Sequence, residues 1–174
     1  MGVSPYWLPG YLPLAEKDLM EPIWGGSIPF GPGKDLGSAI NELAGQDSDI
    51  KACYVMGTDL LNSMPERQKT EKALQNIDFL VCQEVFLNET CQYADCVLPA
   101  LSALEVSGTL TNSEGRVQRQ FGRVFCQGPK PDWQIVAELS KHFGYSMPYT
   151  NAREIFEEIA TCINHYNQYP FDAM

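Results

Sequence analysis

Three short apolar runs stand out along the chain: Ala52 to Met56 (ACYVM), Phe79 to Val81 (FLV) and Cys96 to Leu98 (CVL). Gly57, the polar pair Gln83-Glu84 and Pro99 follow them as stops. Runs of this length with β-prone residues predict strands, and their near-continuous apolar character predicts a sheet buried on both faces. The stretches before and between the first two runs change to helical spacing. Leu36 to Leu43 in GKDLGSAINELAG carries apolar residues on one helical face, with Gly45 as a stop. A polar helix is expected after the first run, capped by Asn62 or Ser63, with Pro65 near its first turn and an end near Gln75. Strands alternating with helices at this spacing predict βαβ units. The expected fold class is therefore α/β, a Rossmann-like open, mostly parallel sheet with flanking helices.

The pattern changes on either side of this region. Residues 1–35 hold Pro5, Pro9, Pro13, Pro22, Pro29 and Pro32 together with Trp7 and Trp24. Prolines at that density forbid a long helix or a central strand, so an irregular lead-in laid over a surface is expected. After Leu104, GTLTNSEGRVQRQFGRVF is polar and rich in glycine and arginine, which suits an extended or looped stretch. Asp132 then precedes WQIVAELSKHFGY, where Trp133, Val136, Leu139 and Phe143 can share one apolar helical face. A last helix is expected from about Ala152 to Ile163, after the turn at Pro148. The expected organisation is thus 1–35 lead-in, 36–130 α/β cofactor-binding domain and 131–174 helical tail.

Composition narrows the function classes. With 12 basic against 22 acidic residues the net charge is −10, which repels phosphate backbones and argues against a nucleic-acid partner. No run of about 18 apolar residues occurs, so membrane insertion is not expected. The first residues lack a basic start followed by an apolar stretch, which reads as cytoplasmic rather than secreted. Six cysteines (Cys53, Cys82, Cys91, Cys96, Cys126 and Cys162) form no C-x-x-C, and only His142 and His165 are present. Zinc and iron–sulfur sites are therefore not expected, and the cysteines read as reduced and structural.

In open parallel sheets, ligands sit beyond the carboxyl ends of the strands. Three stretches qualify here: Gly57-Thr58-Asp59, Gln83-Glu84, and Leu101 to Gly108. Gly57 would let the backbone approach a ligand closely. Asp59 and Glu84 would each put a carboxylate at a strand end, suited to a guanine N1–H and amine edge or to paired ribose hydroxyls. The bland alternative is that Asp59 caps a turn and Glu84 is solvated. Dinucleotide, P-loop and nucleophile-elbow fingerprints are all missing. On residues alone the chain reads as a ligand-binding α/β module without catalytic or metal-ligating residues.

Three stretches add a resemblance: YVMGTDLLNSMP, FLVCQEVFLNETCQYADCVLPALSALEVSGTLTNSEGRVQR and PDWQIVAELSKHFGY. They resemble the catalytic subunit of formate dehydrogenases and the wider oxidoreductases that carry bis-molybdopterin guanine dinucleotide. The family order M-G-x-[DN], Q-[DE], F-x-x-E-T, A-D-x-x-L-P, G-T-x-[TS]-N-x-E and D-W-x-[IV] runs here from Met56 to Ile135. The opening MGVSPYWLPGY is similar to the family segment M-G-x-x-P-x-x-x-P-G-Y.

The resemblance implies one of two α/β domains that clasp paired pterin cofactors, holding the guanosine end of one molybdopterin guanine dinucleotide. Gly57, Thr58 and Asp59 would line the nucleotide, Gln83 and Glu84 would contact its ribose or base, and Asp132 would complete the site. Asn112, Glu114 and Arg116 match N-x-E-x-R and would order a strand end. There are departures: Val106 follows Glu105 where a cation is common, Glu84 replaces the usual aspartate, and Gly115 takes the place of an arginine. The iron–sulfur cysteines, the ligand to molybdenum or tungsten, the second cofactor domain and the carboxyl-terminal cap have no match here. Formate oxidation would then belong to a parent protein, with its remaining domains and electron-transfer subunits as partners, and the isolated chain would be inactive. The alternatives are a free-standing nucleotide-binding or scaffold subunit, or a piece of a nitrate reductase or of an NADH dehydrogenase large subunit.

Overall fold

The computed structural model describes residues 17–26, 34–112 and 114–174. In chain order its elements are α1 (Lys17–Trp24), α2 (Leu36–Leu43), β1 (Ala52–Met56), α3 (Leu60–Ser63), α4 (Arg67–Asn76), β2 (Phe79–Glu84), β3 (Cys96–Pro99), β4 (Gly108–Thr111), β5 (Val117–Gln120), α5 (Asp132–His142), α6 (Ala152–Cys162) and α7 (Asn164–Asn167). They divide into two compact units. One comprises residues 34–103 and 125–136, and the described residues of the other are 17–26, 104–112, 114–124 and 137–174.

The first unit is the expected α/β fold. β1, β2 and β3 form a parallel sheet in that order, with Tyr54 opposite Val81 and Gln83 opposite Leu98. Side chains alternate across a strand, so Val55, Leu80 and Cys82 share one face. They pack there with Leu60, Leu61, Leu74 and Cys91. A second cluster joins Ile40, Leu43 and Ala44 to Ala73, seating α2 against α4. Burial pushes the Cys82 thiol well above its ordinary range, and the neighbouring Cys91 thiol adds to the shift. Such a thiol is unreactive, in keeping with a packing role. Asp95 fixes β3 beside β2: its carboxylate accepts from Leu80 N–H at 2.7 Å while its own N–H donates to Leu80 O at 2.9 Å.

Four details differ from the sequence reading. The sheet is not covered equally on its two faces, since Tyr54 and Phe79 on the second face remain 42% and 49% exposed. β2 runs on through Gln83 and Glu84, which the reading put in the following loop. The polar helix does not start from Asn62 or Ser63. Instead α3 makes a single turn, Met64 before Pro65 turns extended (φ −87°, ψ 142°), and α4 begins at Arg67. Proline disfavours helical geometry in the residue before it, which accounts for the break. Finally, the buried residues of α5 are Ile135, Ala137 and Ser140, whereas Val136 and Phe143 are exposed.

The second unit contains an antiparallel hairpin, β4 with β5, where the sequence suggested an extended or looped stretch. Asn112 orders its turn by accepting from the N–H groups of Glu114 (3.0 Å) and Arg116 (2.9 Å). Gly122 follows the hairpin so close to Glu105 that an added Cβ would lie 2.6 Å from the Glu105 carbonyl oxygen. Val117 packs with Met20 of α1, Phe156 of α6 and Tyr166 of α7. The helix α1 lies within the stretch expected to be irregular. The rest of that lead-in, residues 1–16 and 27–33, falls outside the described residues.

Candidate functional site

Register brings the functional side chains to one edge of the sheet. β1 and β2 end together, Met56 opposite Gln83, and Gly57 N–H extends the pairing by donating to Gln83 O at 3.0 Å. The chain then turns sharply, with Gly57 at φ 63°, a conformation that costs an ordinary L-residue about 1–2 kcal/mol. Glu84 ends β2 opposite Pro99, and its carbonyl accepts from Ala100 N–H at 3.0 Å. Beyond β3, Ala100 forms a parallel bridge with Lys130. That bridge delivers Pro131 and Asp132, the first residue of α5, to the carboxyl end of the sheet.

Gln83 and Asp132 are in direct contact, Nε2 donating to Asp132 Oδ1 at 2.6 Å. Gln83 is fully buried, and the Tyr54 hydroxyl donates to its Oε1. Both ends of the amide are therefore used within the chain. Burial pushes the Tyr54 hydroxyl above its usual range, with the nearby charge of Asp132 adding to the shift.

Asp59 is held by a separate set of bonds. Its Oδ1 accepts from Thr90 Oγ1 at 2.7 Å and its Oδ2 from Asn62 Nδ2 at 2.6 Å. Thr90 is fully buried and also accepts from Leu61 N–H at 3.2 Å. Desolvation tends to raise the Asp59 carboxyl, but the bonds from Thr90 and Asn62 outweigh it and leave the group below its usual range. Thr58, between Gly57 and Asp59, is half-buried.

Glu84 is neither solvated in full nor fully paired. Its Oε2 accepts from Val85 N–H at 3.3 Å, while Oε1 is buried and has no hydrogen-bond partner. A buried acceptor without a donor is costly, so this atom marks a place where a ligand donor would be stabilising. The edge as a whole presents acceptors, which suits hydroxyl and amine donors rather than anions. Sequence reasoning gave Tyr54 and Thr90 no role. Thr90 lay in the quoted F-x-x-E-T motif and Tyr54 in YVM, but their bonds reach 31 and 29 residues along the chain.

Among the described residues no group of three His, Cys, Asp or Glu side chains is arranged to hold a metal ion. None of their helices is long and apolar enough to cross a membrane.

Comparison with known proteins agrees with this architecture. A family model described as molybdopterin oxidoreductase matches residues 18–142. The chain is 36% identical over 170 residues to the F420-dependent formate dehydrogenase subunit alpha of Methanocaldococcus jannaschii, covering 95% of this chain and 25% of that protein. It is 35% identical over 158 residues to the assimilatory nitrate reductase catalytic subunit of Bacillus subtilis, covering 87% of this chain and 22% of that protein. Among solved structures, acetylene hydratase from Pelobacter acetylenicus shares the fold, with a TM-score of 0.64 at 23% identity over 88% of this chain and 22% of that one. The chain spans 16% to 26% of the length of the curated relatives it matches.

Proposed function

This chain belongs to the molybdopterin oxidoreductase family, and on that footing we propose that its strand-end carboxylates hold the guanosine end of a molybdopterin guanine dinucleotide. The observation that carries the reading is the buried, unpartnered Glu84 Oε1 at the carboxyl edge of the sheet. The donor groups of guanosine fit what this edge lacks. A ribose offers two hydroxyls, and guanine offers N1–H and an exocyclic amine to a carboxylate.

Each residue has a distinct part in this reading. Gly57, with no side chain and a left-handed backbone, leaves room for the nucleotide to approach the main chain. Thr58 lines the nucleotide beside it. Asp59, pinned by Thr90 and Asn62, holds its carboxylate still toward a ribose. Glu84 takes a donor at its free oxygen, and Asp132 adds an acceptor from the start of α5. Gln83 is too buried to touch the ligand and acts through Asp132, a narrower part than the direct contact expected from the sequence.

When bound, the cofactor supplies metal-centred redox chemistry, and no residue described here is assigned a catalytic step. In our reading the full-length protein oxidises formate, following relatives such as the methanogen subunit, and its other domains and electron-transfer subunits are this chain's partners. The nitrate reductase relative, at nearly the same identity, supports a second reading in which the parent acts on a different substrate. Both readings keep the guanosine site.

Titration with guanosine diphosphate tests that site. Binding is expected to be weak, because guanosine diphosphate lacks the pterin half of the cofactor and its contacts. Backbone NMR signals of Gly57, Asp59 and Glu84 should nevertheless move at millimolar ligand. If they stay still while signals elsewhere move, the site is misassigned.

A further inference from the structure

The outer side of β1 is an open edge of the parallel sheet. Gly57 N–H donates to Gln83 O, so by alternation the N–H groups of Cys53 and Val55 also face β2. Those of Ala52, Tyr54 and Met56 face the other way, where β1 has no strand partner among the described residues. The far edge of β3 differs: Pro99 O accepts from Lys130 N–H at 3.3 Å, and Leu101 N–H donates to Lys130 O at 3.0 Å. Free edges are usually blunted by charge, proline or a bulge. β1 (ACYVM) has none of these, and its register with β2 is unbroken. The bare part of the sheet lies beside this edge. Leu74 of α4 and Cys91 pack on the Val55, Leu80 and Cys82 face, so the connections after β1 and β2 both cover that side. Tyr54 and Phe79, on the other face, stay exposed.

We propose that β1 is a docking edge for a parallel strand from the rest of a longer polypeptide, whose crossover helix lays an apolar face over Tyr54 and Phe79. The inference rests on the reading of this chain as one part of a larger protein, supported by its 16% to 26% share of its curated relatives. Handedness selects the helix's side. Crossovers between parallel strands are right-handed, so a run winding from β1 towards β3 uses one face. A run winding outward from β1 in the opposite direction uses the other, which is the face left bare here. Parallel sheets occur almost only with both faces covered, a condition that such a strand and helix would meet. A second copy of this chain suits the edge less well. Hydrogen-bonded twofold pairing of β1 with itself runs antiparallel, and each copy carries a net charge of −10.

Hydrogen exchange along residues 51–57 tests this, compared between the 174-residue chain and the native protein purified from its source cells. In the 174-residue chain, the amides of Ala52, Tyr54 and Met56 should exchange about tenfold faster than those of Cys53 and Val55, the worth of one backbone hydrogen bond. In the native protein that difference should vanish. Fast exchange of the three amides in a native protein several times larger than this chain overturns the docking edge and leaves the guanosine reading intact. Slow exchange already in the 174-residue chain also overturns it. Sedimentation then assigns the edge, to a second copy if the chain is a dimer and to the chain's own residues if it is a monomer. A native protein no larger than this chain removes the longer-polypeptide reading, and the docking edge with it.

Discussion

Thr90 shows how one buried hydroxyl organises this site. It receives Leu61 N–H and donates to Asp59, so Thr90→Val removes both bonds while nearly preserving shape. A buried N–H left without a partner costs about 1–3 kcal/mol, and a drop of that size in denaturant stability at neutral pH is expected. The loss should depend on pH. The Asp59 carboxyl lies lower in the folded chain than its ordinary value of 3.8, so its bonds stabilise the fold above that pH and are lost as pH falls through the folded value. Unfolding curves at pH 7 and at pH 3 should therefore show the gap between wild type and Thr90→Val narrowing in acid; a gap that widens would contradict the assignment. At this scale the sequence was only partly legible. Carboxylates at strand ends could be picked out because the apolar runs stop beside them. The long-range bonds could not, because Thr90 reaches Asp59 from 31 residues away and Gln83 meets Asp132 only through the Ala100 bridge to Lys130, which no local pattern encodes.

At the scale of elements, legibility followed the strength of the local signal. β1, β3 and α2 stand where apolar runs and stop residues put them, because burial and turn chemistry agree there. β2 exceeded its apolar core by two polar residues, Gln83 and Glu84. Ladder hydrogen bonds continue for as long as a partner strand is available, whatever the side chain. The buried face of α5 was misread for a different reason. Trp133, Ile135, Val136, Ala137 and Leu139 put apolar residues nearly all around that helix, so periodicity could not choose the inner side. The turn after β1 is the element most sensitive to substitution near the site. Gly57→Ala imposes a left-handed backbone on a residue with a Cβ, and a stability loss of about 1–2 kcal/mol should appear in thermal unfolding. The same change should weaken guanosine diphosphate binding, since in our reading the nucleotide approaches the main chain where the added methyl would sit. Unchanged binding in a folded Gly57→Ala chain would move the nucleotide away from this loop.

For the whole molecule, the family assignment sets the frame. The chain belongs to the molybdopterin oxidoreductase family, and in our reading its strand-end carboxylates serve a cofactor's nucleotide end. It spans 16% to 26% of the length of its curated relatives, so in our account catalysis depends on polypeptide beyond these residues. The isolated chain should show no formate-dependent reduction of an artificial electron acceptor, even when supplied with cofactor. The measurement that tests this account most directly is the size of the native polypeptide, read with an antibody against this chain on extract from its source cells. The account predicts a band several times larger than 19.4 kDa. A band near 19.4 kDa would contradict it and leave a free-standing nucleotide-binding or scaffold protein in place of the redox module.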